Sequence, residues 1–394
     1  MTRINDLATT FENASLEQAI EKLQELKDRR RDIILPIDSI RMNDSGRLVV
    51  SDVHVGGLLE PVVATPNEIA SRHISSRLDI PWKYWQRMSE TMPELAAQNF
   101  NAWAQYEAID KGDKRRRFFL RTYMDEPGGH IGTARALLSN KYLPVDNLSL
   151  VAMTLRTAEQ ITRERGVRII VDRCDLSETK MYLRFRSPDI ANDGPSILRQ
   201  YRDPNNGSTG GFGGGQGIVS GFVITNSEVG YGSLSISPVA IIGACNNGLI
   251  WKDESYDRRH LGAKMEEGIY QDDTRQANVE LILKQIRDHL LHFLSEEYLG
   301  QRINDIQAMA DRKISHPVQF IQNVGQEISL SDTEVDGILD HFMRQGTAGS
   351  VFDAAQAMTS FAQVGVSADR RYDLEHMATD LLRYADKCDE IRTK

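Results

Sequence analysis

An α+β fold is the class this sequence predicts: an antiparallel-rich sheet core with packed helices, followed by an all-helical C-terminal region. Three observations carry it. Alternating, strand-length runs crowd the middle of the chain between residues 115 and 245. Helical periodicity runs almost unbroken from Asp272 onward. Strands and helices are also grouped rather than interleaved, which argues against a doubly wound sheet. The expected units are an N-terminal helix (1–30), an α+β core (31–265) and a helical C-terminal domain (266–394).

Leu16, Ile20, Leu23 and Leu26 recur near helical spacing behind Ser15, which predicts a first helix ending in a basic turn. Short β-type runs follow at Asp32 to Pro36, Ile40 to Asn43 and Leu48 to Asp52. Asn43, Asp44, Ser45 and Gly46 supply the chemistry for a hairpin between the second and third. Thr65, Pro66, Asn67 and Glu68 read as a capping box with proline at the first helical position. A second short helix starts near Pro81, and another spans Pro93 to Ile109. The first two of these resemble a helix-turn-helix in outline. Trp82, Trp85 and Met88 repeat at helical spacing, however, and favour packing into the core.

Strands are expected at Arg115 to Met124, Thr133 to Ser139, Val167 to Cys174, Lys180 to Ser187, Gly217 to Thr225, Ser233 to Ser237 and Ala240 to Cys245. One helix, Asn147 to Arg163, interrupts them behind Asp146 as its cap. In the tail, a long helix from Asp272 and the run INDIQAMADRK lead to a helix capped by Ser331 with Glu334 three residues later. Two more helices, about 350–363 and 370–392, close the chain.

Composition narrows the class. The 394 residues are 40% apolar and 26% charged, ordinary for a globular protein. No window reaches the roughly 18 consecutive apolar residues of a membrane span. The opening MTRINDLATTFENASLEQAI lacks an apolar signal-peptide core, and Cys174, Cys245 and Cys388 are few and widely spaced. A reducing cytoplasm is therefore the expected location, with no membrane partner.

The formal charge of -9 argues against nucleic acid until its distribution is considered. Residues 111 to 202 hold 18 Lys plus Arg against 11 Asp plus Glu, a local +7, which leaves -16 for the rest. Such segregation marks either a basic binding face or an internal attraction between two parts of the protein.

Two strands concentrate the positive charge. In KMYLRFR, Lys180, Tyr182, Arg184 and Arg186 alternate with Met181, Leu183 and Phe185, so one face is basic and aromatic and the other apolar. In RRRFFLRTYM, Arg115, Arg117, Phe119, Arg121 and Tyr123 share a face behind Lys111 and Lys114. Open to solvent, such faces suit single-stranded nucleic acid, with cations on phosphates and bases stacked on rings. Arg258 and Arg259 would extend the track. The alternative is an acidic C-terminal helix lying over them.

The glycine-rich stretch NGSTGGFGGGQG, residues 206 to 217, has no G-x-x-x-x-G-K-[ST] spacing and reads as an excursion between strands or a flap, with Tyr201, Arg202 and Phe212 as its contacting groups. An enzyme reading gathers Glu228, Cys245 and His260, with Asn226 and Asn246 nearby, although the apolar run before Cys245 favours a buried thiol. His289 and His292, three apart on one helix, lack the further ligands a metal needs. No cofactor or metal is expected, and catalysis is not required.

ARALLSNKYLPVDN (134–147), TNSEVGYGSLSISP (225–238), ACNNGLI (244–250) and RRHLG (258–262), with RLDIPWKYWQRM (77–88) and NAWAQY (101–106), resemble the phage- and plasmid-encoded family catalogued as domain of unknown function 932. The similarity covers most of residues 65–265. It implies a mobile-element context and no transferable catalytic residues. The expected function is thus single-stranded DNA binding or annealing in recombination or replication, compatible with a ring-forming homo-oligomer. A protein-interaction factor for host takeover or anti-defence is the second reading, and an enzyme the third.

Overall fold

The computed structural model describes residues 9–51, 54–55, 58–59, 61–111, 117–140, 142, 145–194, 198, 201–205, 207, 217–243, 247–251, 255–258, 272–345 and 349–385. The α+β class holds: two antiparallel-rich sheets are built first and helices dominate from residue 272.

The smaller sheet has the order β2-β8-β9-β7-β4-β3, from β2 (Arg30–Pro36), β3 (Ile40–Met42), β4 (Leu48–Val50), β7 (Val62–Pro66), β8 (Arg117–Met124) and β9 (Ile131–Ser139). Among the described strands, only β7 and β9 pair in parallel. The hairpin between β3 and β4 turns at Asn43–Gly46, where Gly46 takes φ +74° and its N–H bonds Asn43 O at 2.8 Å. A two-stranded ribbon, β5 (His54–Val55) with β6 (Leu58–Leu59), stands apart from both sheets. Helices α2 (Glu68–Leu78), α3 (Trp82–Thr91) and α4 (Pro93–Lys111) cover one face of the smaller sheet, where Trp85, Met88 and Phe100 meet Phe118 and Leu120. Trp85 and Met88 are 1% and 2% exposed, so α3 is a packing helix. The cap of α2 is Asn67, whose side chain accepts from Ala70 N; Thr65 and Pro66 belong to β7, paired with Thr133 and Ala134. The expected capping box therefore starts two residues too early.

The larger sheet has the order β1-β10-β11-β12-β13-β14, with β15 also on β13. Its strands are β1 (Phe11–Ala14), β10 (Ile170–Leu176), β11 (Met181–Asn192), β12 (Ile218–Asn226), β13 (Leu234–Ile242), β14 (Asn247–Ile250) and β15 (Tyr256–Arg258). The two strands expected on either side of Pro238 are one, because Pro238 sits opposite Phe222 within the ladder. Helix α1 (Leu16–Arg29) has a capping box between Ser15 and Gln18. Helix α5 (Asn147–Arg165) is capped by Asp146 and stops at Gly166, φ +71°. With α6 (Asp272–Phe293) they bury Leu23, Leu150, Ile161, Leu290 and Phe293 against Leu183, Phe185 and Phe222.

The tail continues as α7 (Glu296–Asp311), α8 (Pro317–Glu327), α9 (Asp332–Arg344), α10 (Val351–Phe361) and α11 (Ala368–Met377). Ser295 caps α7 and so divides the long helix expected from Asp272. One apolar cluster joins Ile218, Ala240, Ile242 and Leu249 of the larger sheet to Ile306, Phe352, Met358 and Leu374 of these helices. The expected boundary at 265/266 therefore runs through a shared core, and the N-terminal helix likewise packs into the sheet instead of forming a unit of its own.

Candidate functional site

The alternation in both basic strands is real, but other elements cover most of each face. On β11, Met181, Leu183 and Phe185 enter the core as expected, while Tyr182 and Arg184 are 3% and 0% exposed on the other face, beneath α11. Tyr372 of α11 stacks on Tyr182 with centroids 4.0 Å apart and planes 5° from parallel. Arg184 bonds Asp172 at 2.5 Å and Glu375 of α11 at 3.4 Å. Arg186, whose side chain is one-third exposed, lies 3.4 Å from the same Asp172. From the helix side, Arg371 reaches back to Asp175 (3.2 Å) and Glu12 (2.9 Å). Burial alone would depress the Arg184 pKa; the Glu375 and Asp172 charges outweigh it and hold the guanidinium charged.

The β8 face is closed by the segment after β12. Phe119 packs with Ile69, Leu138 and Val229. Arg121, 1% exposed, makes a two-pronged pair with Asp32 (2.9 and 2.8 Å) and sits 3.2 Å from Glu228. The Tyr123 hydroxyl donates to Glu228 at 3.2 Å, and burial followed by the Glu228 charge drives its pKa up. As phosphate-contacting or base-stacking groups, Arg121, Arg184, Phe119, Tyr123 and Tyr182 are thus corrected to internal residues. Period two states which side chains share a face and says nothing of what lies over it. Lys180 and Arg186 keep partial access, and Arg117 is exposed with a hydrogen bond to Ile34 O at 3.3 Å. Arg115 and Arg259 lie outside the described residues, as does the Arg258 side chain.

Glu228, which the enzyme reading gathered with Cys245 and His260, is a structural acceptor. Besides Arg121 and Tyr123 it takes the Asn147 N–H at 2.7 Å, at the start of α5. Asn226 donates to Val145 O (2.8 Å) and Asn147 Oδ1 (2.6 Å), so it braces the same helix entry. Cys245, Asn246, His260, Phe212 and nearly all of the glycine-rich stretch lie outside the described residues. Tyr201 is fully buried, whereas Arg202 is exposed. His289 packs its ring on Tyr256 and His292 on Tyr298, and no metal-capable group of three occurs among the described residues.

What the structure does open is a cleft of about 590 Å³ at the junction of the two sheets. Its walls come from the segment before β1 (Thr9, Thr10), the entry of α2 (Asn67, Glu68, Ile69, Arg72), β8 and β9 (Tyr123, Asp125, Thr133, Arg135), the β10–β11 turn (Glu178, Thr179) and Tyr231. The turn is pinned from two sides. Glu178 is held by Arg135, Thr9 and Asn67, while Ser177 and Thr179 both donate to Asp369 of α11, at 2.8 and 2.6 Å. Arg135 is 6% exposed, rests over the Tyr123 ring at 5.6 Å, and its Nε has no hydrogen-bond partner. Tyr231 is 39% exposed and its ring leans on His73, centroids 5.7 Å apart. Arg72 bonds Glu68 and lies 4.3 Å over the Trp82 ring.

Arg135, Glu178, Asn67 and Tyr231 were not singled out by the sequence as site residues. Two of them fall inside segments that carried the resemblance, Arg135 in ARALL and Tyr231 in TNSEVGYGSLSISP, and that was the available signal. Compared with known proteins, the chain matches no family profile, no curated protein and no solved structure.

Proposed function

We propose that the chain is a binding protein that holds a nucleobase in the cleft between its sheets, the base being that of a free nucleoside or one unstacked from a single strand. The observation that carries this reading is the pairing, in one cleft, of the accessible Tyr231 ring with the buried Arg135 guanidinium. The volume of about 590 Å³ lies within the roughly 300–1,000 Å³ of small-molecule sites. Asn67, Arg135, Asp125 and Glu178 supply the donors and acceptors that a base edge presents, and Tyr231 a face to stack on. Annealing in recombination or replication, and membership of the family catalogued as domain of unknown function 932, are proposals that rest on the sequence motifs. They favour the single-stranded source of the base.

Phosphates contribute little on this reading. The cleft sets two guanidinium groups, Arg72 and Arg135, against three carboxylates, Glu68, Asp125 and Glu178. With one or two phosphate contacts, the slope of log affinity against log salt is about -1, shallow for a nucleic-acid binder. The test is fluorescence anisotropy of a labelled single-stranded oligonucleotide at two salt concentrations, with unlabelled nucleosides as competitors. Salt-tolerant binding displaced by a nucleoside supports a base pocket. Replacing Tyr231 by Ala removes about 1–3 kcal/mol of stacking, roughly fivefold to 150-fold in affinity. Steeply salt-dependent binding that ignores Tyr231→Ala overturns the reading. If neither oligonucleotide nor nucleoside binds, the protein-interaction factor takes first place, as the covered basic faces already favour.

A further inference from the structure

A second, smaller cavity lies on the α11-covered face of the larger sheet, beyond the helix edge. Strand register builds its floor: Tyr182, Thr225, Ser235 and Asp257 stand directly opposite one another on β11, β12, β13 and β15, in a single row across four strands. Residues two apart share a face, so Ser233 and Ser237 flank Ser235 on the same side. Helix α11 covers the Tyr182 end of the row and leaves the hydroxyl end open as a trough of about 190 Å³. Its rim carries Lys180 on one side, Asp257 on another, and Asp373 and His376 from α11. Val223, Ile250 and the edges of the stacked Tyr182–Tyr372 pair make an apolar wall.

The polar groups of the trough have capacity to spare. Lys180 and Asp373 have no ion-pair partner among the described residues, Asp257 accepts only a 3.3 Å bond from Ser233, and His376 Nδ1 is buried without a partner. Charge then selects the ligand. One ammonium against two carboxylates disfavours a phosphate or carboxylate ligand, and the ammonium disfavours a simple amine. Hydroxyl oxygens repeated at the strand spacing of roughly 4.8 Å match alternate hydroxyls of a sugar ring. Carboxylates on the rim accept bonds from adjacent ligand hydroxyls, and the apolar wall takes the C–H face of the ring. The volume falls below the roughly 300 Å³ at which drug-sized sites begin, so it fits one ring and no oligomer.

We infer that this trough binds a neutral polyol, a single monosaccharide-sized ring, independently of the cleft. Neither Arg135 nor Tyr231 lines it. The experiment is saturation-transfer NMR on the full chain with D-glucose, D-ribose and myo-inositol as probes and putrescine as the cationic control. Transfer to C–H protons of at least one polyol, with none to putrescine, is expected. Asp257→Asn, on the exposed rim, weakens that binding about tenfold or more, since it removes an ionised acceptor. Thr225→Val deletes one floor hydroxyl at nearly constant shape and reads the same loss, while Tyr231→Ala leaves the signal unchanged. No transfer from any of the three polyols to the folded wild type overturns the inference. So does an undiminished signal in both trough variants, or a preference for putrescine.

Discussion

Removing the Arg184 guanidinium separates an internal strand face from an open one. In Arg184→Met the Asp172 and Glu375 carboxylates, with side chains 2% and 0% exposed, are left without their shared cation. Breaking a buried pair by deleting one partner costs about 3–5 kcal/mol, because the remaining charge stays desolvated. A solvent-facing arginine on an open sheet costs within about 0.5 kcal/mol when replaced. Melting temperature moves by roughly 2–4 °C per kcal/mol for a cooperative unit of 150–250 residues, so the expected drop is about 6–20 °C. Circular-dichroism melts with matched urea titrations measure it. Adding Asp172→Asn and Glu375→Gln to Arg184→Met neutralises both carboxylates and recovers more than half of the loss. A single variant that melts within about 1 °C of the wild type refutes the reasoning and returns the β11 face to solvent.

Burial, with the charge of Arg77, pushes His73 down to about 4, and its Nδ1 accepts the Leu137 N–H at 3.3 Å. The unfolded chain, near 6.5, takes up a proton that the folded chain refuses, so stability falls by on the order of 2 kcal/mol as pH drops from about 6.5 to about 4. Urea titrations of the wild type and His73→Asn across that window should show the slope only in the former. Asp146 is opposed by burial but held below the ordinary carboxylate range by the Arg30 hydrogen bond and charge. Its folded value lies under its unfolded one, so its contribution is present above about pH 4 and is lost as pH falls through the folded value. Asp146→Asn keeps an acceptor for Leu148 N and removes this acid limb, whereas Asp146→Ala also loses the α5 cap at about 1 kcal/mol. Burial raises the Cys174 thiol to about 12, so a thiol reagent at pH 8 labels it only after denaturation, which peptide mass spectrometry checks.

Much of the fold was legible because local rules acted without competition. Ser15, Asp146 and Ser331 are helix caps where the sequence placed them, and the alternation in β8 and β11 is the observed one. The Thr65–Glu68 reading failed because a parallel pairing with β9, distant in sequence, claims Thr65 and Pro66 for a strand. The shared core of sheet and tail was invisible for a similar reason. Leu374 and Met358 look like ordinary amphipathic positions until they meet Ile242 and Leu249. For the basic strands, the segregated charge is met internally: Asp32, Glu228 and Glu375, all outside residues 111–202, come together on Arg121 and Arg184. The cleft was not legible, since its walls come from five segments between Thr9 and Tyr231 and none carries a ligand-binding motif by itself.

The most direct test of the cleft reading is hydrogen–deuterium exchange of the full chain with and without a saturating single-stranded oligonucleotide, repeated with a nucleoside. Protection is expected in both cases at the α2 entry around Asn67, at the Ser177–Lys180 turn and around Tyr231, with no change along Tyr182–Arg186 beneath α11. Protection absent from those three segments, or concentrated on a face of β11 that α11 has released, would contradict it.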